Sequence, residues 1–407
     1  MARAALDTCP VCRRTLPDFG GWPAWCPECG WGVQPDATTT MPTGGFAGWW
    51  RGRITRAQQT EFERLLTNPT LLSRRHPRSA TVLAAAVGVH LITLALLSAG
   101  AWVITTNVVT VLKVFAGVVA FGLVAVTFPA HRLRPSTAAK RGAAPTTIAV
   151  AGTVAEAVGV PAPSRVRVTS YGLENPPASR RVLTVDLDQW QLVGEHGRLA
   201  LLAHELAHHN GHDPNRTMLV AIAIETLDGW LALLRPDPRA AARRQARRRM
   251  LRGGTVTVTA PNRLVGLSEL LVPIVIAPLY GVVLGLGWVL REAGTAAGLR
   301  AELYADALAA RAGGDVAELI DGELAAAAAA GKPATPLADL AATERERRRR
   351  LAVATAARLD GMHPTYAMRL EMRAAVRDEP STGRVAIGLA DMDAMTRELV
   401  ALRPATG

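Results

Sequence analysis

A mainly helical α+β fold, embedded in part in a bilayer and carrying one small β-sheet, is what this sequence predicts. Three observations carry the prediction. An apolar run from Ala80 to Phe128 is interrupted only by His90 and Lys113, and is about twice as long as the roughly 20 residues that cross a hydrocarbon core. Most of the remaining chain has helical periodicity, and only two short stretches, 165–169 and 182–187, are rich in β-branched residues at strand spacing. Hydrophobic residues make up 49% and charged ones 20%, too apolar for an ordinary soluble chain and too charged for one that is all membrane.

From the N-terminus, the four cysteines fall in two pairs, Cys9-Pro10-Val11-Cys12 and Cys26-Pro27-Glu28-Cys29. Each C-x-x-C closes a tight turn, and two such turns together supply the four thiolates of a tetrahedral zinc ribbon. Residues 1–35 are read as that ribbon, with one structural zinc. So short a segment buries too little apolar surface to fold without its metal. Two disulfides are the alternative, and they require an oxidising compartment. Trp22 and Trp25 form either the ribbon's small core or a contact surface, and its partner, protein or nucleic acid, stays open.

Residues 36–79 read as a linker with a polar juxtamembrane helix, Ile54 to Leu72, ending in the basic cluster Arg74, Arg75 and Arg78. Residues 80–128 read as a transmembrane hairpin turning near Thr105-Thr106-Asn107, with His90 a hydrogen-bonding group inside it. Basic residues flank both ends: Arg74, Arg75 and Arg78 before, and Arg132, Arg134, Lys140 and Arg141 after. By the positive-inside rule both flanks, and so the ribbon and the following domain, face the cytoplasm. The net charge of +12, mostly arginine, suits either nucleic acid or an anionic leaflet, and the membrane segments favour the leaflet.

The main domain, 145–378, opens with a helix, 147–157, ending at Gly159-Val160-Pro161. The two strands follow, with 182–187 the candidate edge for pairing with an extended substrate. The next helix, Glu195 to Asn210, contains His204-Glu205-Leu206-Ala207-His208. At 3.6 residues per turn the two imidazoles lie on one face and take adjacent corners of a zinc tetrahedron, while Glu205 sits where a general base for hydrolysis belongs. An Ala- and Leu-rich helix can produce H-E-x-x-H by chance, so the missing third ligand decides. It is supplied by Glu302-Leu303-Tyr304-Ala305-Asp306: Glu302 as ligand, and Asp306 one turn on to accept the outward N–H of a ligating histidine. His209 and His212 lack the i, i+4 relation to His204 and read as surface or supporting groups.

The chain from about 145 to 375 resembles the membrane-integrated gluzincin endopeptidases, the family of the HtpX heat-shock protease and the CAAX prenyl proteases. The resemblance rests on His204-Glu205-Leu206-Ala207-His208 with Asn210 and Asp213, on Glu302 to Asp306, and on His363-Pro364 with Arg369. It implies a zincin-like metalloprotease domain and a role in membrane protein quality control. One departure is Leu173-Glu174-Asn175-Pro176-Pro177 ahead of the edge strand, where the family usually carries an Asn-Ala-Phe type segment.

Of two further apolar segments, 217–234 and 264–290, either both cross the bilayer, or neither does, or the second is a re-entrant hairpin broken at Pro273 and Pro278. Eight arginines between Arg235 and Arg252 favour a cytoplasmic loop there and hence 264–290 embedded as a hairpin or a groove-lining helix. Helices are expected at 315–330, 337–359 and 364–376, followed by a flexible or weakly helical tail, 379–407. His363 takes one of two roles, polarising the scissile carbonyl or making a structural turn before Pro364; Tyr304 and Arg300 are weaker candidates for the first. The expected protein is a multi-pass cell-membrane zinc metalloendopeptidase with one catalytic and one structural zinc, acting on protein or peptide substrates, membrane proteins included. Its zinc-activated water attacks the peptide bond with Glu205 as base. The alternative is a catalytically silent membrane-tethered adaptor acting through the ribbon.

Overall fold

The computed structural model describes residues 8–16, 25–29, 45–106, 139–140, 143–169, 181–210, 217–234, 277–329, 337–339, 342–354, 364–376 and 387–403, with a few isolated positions between them. In chain order the elements are α1 (Gly45–Thr67), α2 (Arg78–Thr105), β1 (Ala139–Lys140), α3 (Pro145–Ala157), β2 (Arg165–Thr169) and β3 (Val182–Asp186). There follow α4 (Leu187–Leu192), α5 (Glu195–Ala207), α6 (Met218–Leu234), α7 (Ala277–Arg311), α8 (Val316–Ala329), α9 (Ala342–Ala354), α10 (Tyr366–Val376) and α11 (Leu389–Ala401). The chain divides into two compact units: Met1–Ser79, Ser136–Met218 and Glu292–Gly407 form one, and Ala80–Pro135 with Leu219–Arg291 form the other.

The first unit is built on a three-stranded sheet of order β1-β2-β3, in which β2 and β3 run parallel and β1 pairs antiparallel with β2. Strand β3 stops at Asp186 because that side chain turns to cap α4, accepting from the Gln189 N–H at 3.0 Å. Helix α3 ends where the sequence places its stop: Gly159 is left-handed at φ 71, and Val160 N–H reaches back to Ala155 O at 2.9 Å, a closure that satisfies orphan helix carbonyls. The apolar faces of α3, α4, α5 and α8 meet the sheet around Leu183, Trp190, Leu202, Leu206 and Leu319, all fully buried. Gly314, which leads into α8, lies so close to α5 that a Cβ there would meet Ala200 Cα at 2.5 Å, so only glycine permits this approach.

Two segments depart from expectation. The stretch expected to be a flexible or weakly helical tail contains a well-packed helix, α11, whose Met392, Met395 and Leu399 are buried in the same core. Its Glu398 caps α3, accepting from Thr146 N, Thr147 N and Thr147 Oγ1 at 2.7–3.0 Å. The polar helix is also longer than its 54–72 pattern, running from Gly45 to Thr67 before a short turn at Pro69–Leu71. It is part of the domain and not a linker: Phe62, Leu65 and Leu72 form a second core with Leu299, Leu303, Met368 and Met372. Across that core Glu61 pairs with Arg300 and His76, all three nearly excluded from solvent.

In the second unit, α2 is long and apolar enough to cross a membrane; so is Tyr280–Arg311, the part of α7 that runs on into the first unit, though its apolar stretch is more than half buried. Leu91, Leu94 and Trp102 of α2 are more than half exposed, a pattern that lipid, and not water, would accommodate. His90 donates to Leu219 O at 3.0 Å, as expected of a hydrogen-bonding group within the apolar unit. Asp228 of α6 pairs with Arg291. The second arm of the expected hairpin and the arginine run 235–252 lie outside the described residues.

Candidate metal centre

Helix α5 carries His204 and His208 on consecutive turns, the second where the helix tightens into the turn His208–Asn210. Their Nε2 atoms are 3.1 Å apart. Glu302 of α7 brings Oε2 to 3.2 Å from His204 Nε2 and Oε1 to 3.5 Å from His208 Nε2. The three side chains are buried. A tetrahedral zinc ion with ligand bonds of about 2.0–2.1 Å separates its ligand atoms by about 3.3 Å, so edges of 3.1, 3.2 and 3.5 Å fit one ion. Two imidazoles and one carboxylate are also the donor set of a zinc site that keeps a fourth position for water.

The support for this triangle is an ion-pair relay. Asp306 Oδ1 lies 2.9 Å from His204 Nδ1, which places the proton on Nδ1 and leaves Nε2 as the ligand atom. Arg369 of α10 grips Asp306 through two bonds, Nε to Oδ2 at 2.7 Å and Nη2 to Oδ1 at 2.8 Å. A third bond ties the same guanidinium to Glu323 Oε2 of α8 at 2.6 Å. Burial alone lowers the His204 pKa, but the carboxylates of Asp306 and Glu302 overcome it and lift the metal-free imidazole to about 10.

Glu205 follows His204 on α5 and is partly exposed. Its charge is felt at the end of β3: burial pushes the Asp186 carboxyl up, and the negative charge of Glu205 adds to the shift. The base candidate therefore lies near the strand expected to align a substrate. His209 is not a surface group; it is buried, with Nε2 3.2 Å from Val182 O at the start of β3. Arg300 also departs from its expected role. Two residues from Glu302, and so about 200° around the helix, it pairs with Glu61 and with Arg74 O instead of the metal triangle. Tyr304 packs against both cores. His363 and His212 lie outside the described residues.

Sequence reasoning missed the partners of Arg369. Its spacing from His363 was visible, but nothing local pairs it with an aspartate and a glutamate on two other helices. Glu323 carries no motif signal at all.

At the N-terminus none of the four cysteines is joined in a disulfide. Cys9 Sγ lies 3.6 Å from Cys29 Sγ, and Cys12 Sγ lies 3.5 Å from Cys26 Sγ, near the roughly 3.8 Å edge of a zinc tetrathiolate with 2.3 Å bonds. The N–H groups of Val11 and Cys12 point at Cys9 Sγ at 3.4 and 3.5 Å. Burial raises the Cys9 pKa, yet these donors and the neighbouring thiols bring it down to about 6. The four sulfurs could hold a metal ion.

Compared with known proteins, residues 176–372 match the sequence model of Peptidase family M48. No curated protein and no solved structure matches the chain.

Proposed function

Since residues 176–372 form a domain of peptidase family M48, we propose that the chain is a zinc metalloendopeptidase in which His204, His208 and Glu302 hold the catalytic ion. The observation that carries this reading is the triangle of Nε2, Nε2 and carboxylate oxygens with edges of 3.1–3.5 Å. A zinc ion there supplies Lewis acidity, polarising a carbonyl and acidifying water. Glu205 accepts the proton of the attacking water and returns it to the leaving amine. Asp306, locked by Arg369, holds the His204 ring in the tautomer and orientation that ligation needs. Strand β3, which among the described strands pairs only with β2 and whose Val182 O is taken by His209, offers the edge beyond Val182 to an extended peptide, whose main chain would pair with it largely irrespective of side chains. His363 is kept as a candidate for polarising the carbonyl.

The second unit supports a membrane location. Helix α2 and the stretch Tyr280–Arg311 have the length and apolarity to cross, and the basic flanks at 74–78 and 132–141 favour the cytoplasmic side for ribbon and active site. Membrane proteins are the substrate class this location favours.

The test is degradation of casein or a membrane protein by wild type and Glu205→Gln, with zinc quantified in both. Wild type cleaves; Glu205→Gln loses roughly a hundredfold or more, as expected for a lost general base, while its zinc content is unchanged. Undiminished cleavage by Glu205→Gln removes Glu205 from its role. No cleavage by wild type favours the silent-adaptor alternative.

A further inference from the structure

The ribbon's free surface is the natural place to look for an outside partner, but in this chain one face of it is already covered. Trp25 is fully buried, and what buries it includes α9. Its indole Nε1–H donates to Thr343 O at 3.2 Å. The Arg350 guanidinium lies over the Trp25 ring, 5.0 Å from its centroid, and also donates to Pro27 O between the second pair of cysteines. Contacts two turns apart on α9, at Thr343 near its N-terminus and at Arg350, thus hold the ribbon's second knuckle.

Helix α9 has few apolar residues to bury, and part of its support is its own: Glu344 pairs with Arg347 and Arg348, and Glu346 with Arg350. Its sequence, ATERERRRRLAVA, has one short apolar patch and a run of four arginines, which repel one another on an isolated helix. The described contacts that offset this are specific ion pairs. Glu344, 1% exposed, accepts from Arg347 and Arg348 at 2.7–2.9 Å. Arg349 makes two bonds of 2.7 Å to the buried Asp321 of α8. Asp321 stands two residues before Glu323, the carboxylate that steadies Arg369, and α9 packs on α10, which carries Arg369. Contacts thus link the second cysteine knuckle to α9, and α9 to α8 and α10, the two helices that carry Glu323 and Arg369.

We infer that the ribbon is an intramolecular clamp: metal bound at Cys9, Cys12, Cys26 and Cys29 keeps Trp25 and Pro27 in place to dock α9, and docked α9 braces α8 and α10 behind the catalytic histidine. The partner of this ribbon face is the chain's own arginine-rich helix. The inference rests on the reading of the four cysteines as a zinc site, and it makes one zinc ion a structural requirement for the order of the other site's support.

The experiment uses the full chain in detergent or bilayer and reads zinc per chain together with amide hydrogen exchange. In wild type, two zinc ions are bound and residues 342–354 and 366–376 are protected. Cys26→Ser loses one zinc, and exchange over 342–354 speeds by roughly a hundredfold. Arg350→Ala leaves the cysteines intact, so both zinc ions stay, yet exchange in α9 rises about tenfold because the ring stacking and the Pro27 bond are gone. Two results overturn the clamp. Loss of one zinc from Cys26→Ser with unchanged exchange over 342–354 separates metal from docking. A wild type whose zinc content does not fall in Cys26→Ser removes the metal from the ribbon, and with it the clamp, while leaving the peptidase assignment untouched.

Discussion

The two candidate metal sites are built in opposite ways. The catalytic triangle takes its ligands from residues about a hundred positions apart, His204 and His208 on α5 and Glu302 on α7, and each helix is fixed by core packing and by the Arg369 relay before any ion arrives. The ribbon takes all four ligands from Cys9 to Cys29, with Cys29 exposed, and among its described residues the buried apolar side chains beside the cysteines are Leu16 and Trp25. The first candidate site is shaped by the fold whether or not an ion is bound; the second is the kind of short segment whose fold a metal ion would have to supply.

The largest effect that tests this contrast is complete metal removal. Chelation of the full chain should abolish amide protection over the described parts of 8–29, since structural zinc supplies on the order of 10–16 kcal/mol in such modules. It should leave α5 and the 292–311 half of α7 protected, because Leu202, Leu206 and Leu303 stay packed. If hydrogen exchange shows α5 opening as readily as the ribbon, the distinction is lost.

Next in size is the relay. Arg369→Ala leaves Asp306 and Glu323 buried or half-buried without their cation, and removing one member of a buried ion pair costs about 3–5 kcal/mol. A lowered thermal midpoint and reduced peptide cleavage are expected, with Arg369→Lys intermediate because a single ammonium cannot reproduce the two-bond grip on Asp306. A midpoint unchanged in Arg369→Ala would show that packing alone holds the triangle.

A smaller effect separates the sites by pH. His204 has a raised pKa, about 10, in the metal-free fold, against about 6.5 unfolded. Its imidazolium therefore stabilises the metal-free domain fully below about pH 6.5, and that contribution is lost as pH climbs through 10. Zinc must displace this proton, so the affinity of the histidine site should rise about tenfold per pH unit between 7 and 9. Calorimetry of Cys26→Ser, which keeps only the catalytic site, in buffers of different ionisation enthalpy should report about one proton released per zinc from His204. Release of none would mean that the metal-free ring is already neutral.

The same contrast explains what could be read from the sequence. Both ligand sets were legible because metal geometry imposes spacing: C-x-x-C for a turn, i and i+4 for a helix face, E-x-x-x-D for a ligand and its support. Helices and strands with clear periodicity, such as 165–169 and 366–376, were legible for the same local reason. The membership of α1 and α11 in the core was not, since it depends on what packs against Phe62 or Met395 and not on those residues' neighbours in the chain. Charge partners were hidden likewise. Arg300 sits two positions from a ligand yet serves Glu61, and Arg369 serves Asp306 and Glu323 from another helix. Long-range electrostatic pairing leaves no periodic mark.

The smallest test returns to the ribbon. Arg13 is the described non-glycine residue with a left-handed backbone, φ 62, in the turn that closes the first knuckle, where Cys9 N–H bonds to Arg14 O at 2.8 Å and Arg13 N–H to Cys9 O at 2.9 Å. A side chain there costs about 1 kcal/mol that glycine would not. In a fold made by its metal, that strain is carried by zinc binding, so Arg13→Gly should slow zinc release to a chelator by roughly fivefold, and Arg13→Val should hasten it. While the ribbon keeps its zinc, α9 stays docked and the zinc of the histidine site should leave at the same rate in all three chains; a change there before the ribbon empties would mean that this turn reaches the histidine site by a route other than the docked helix.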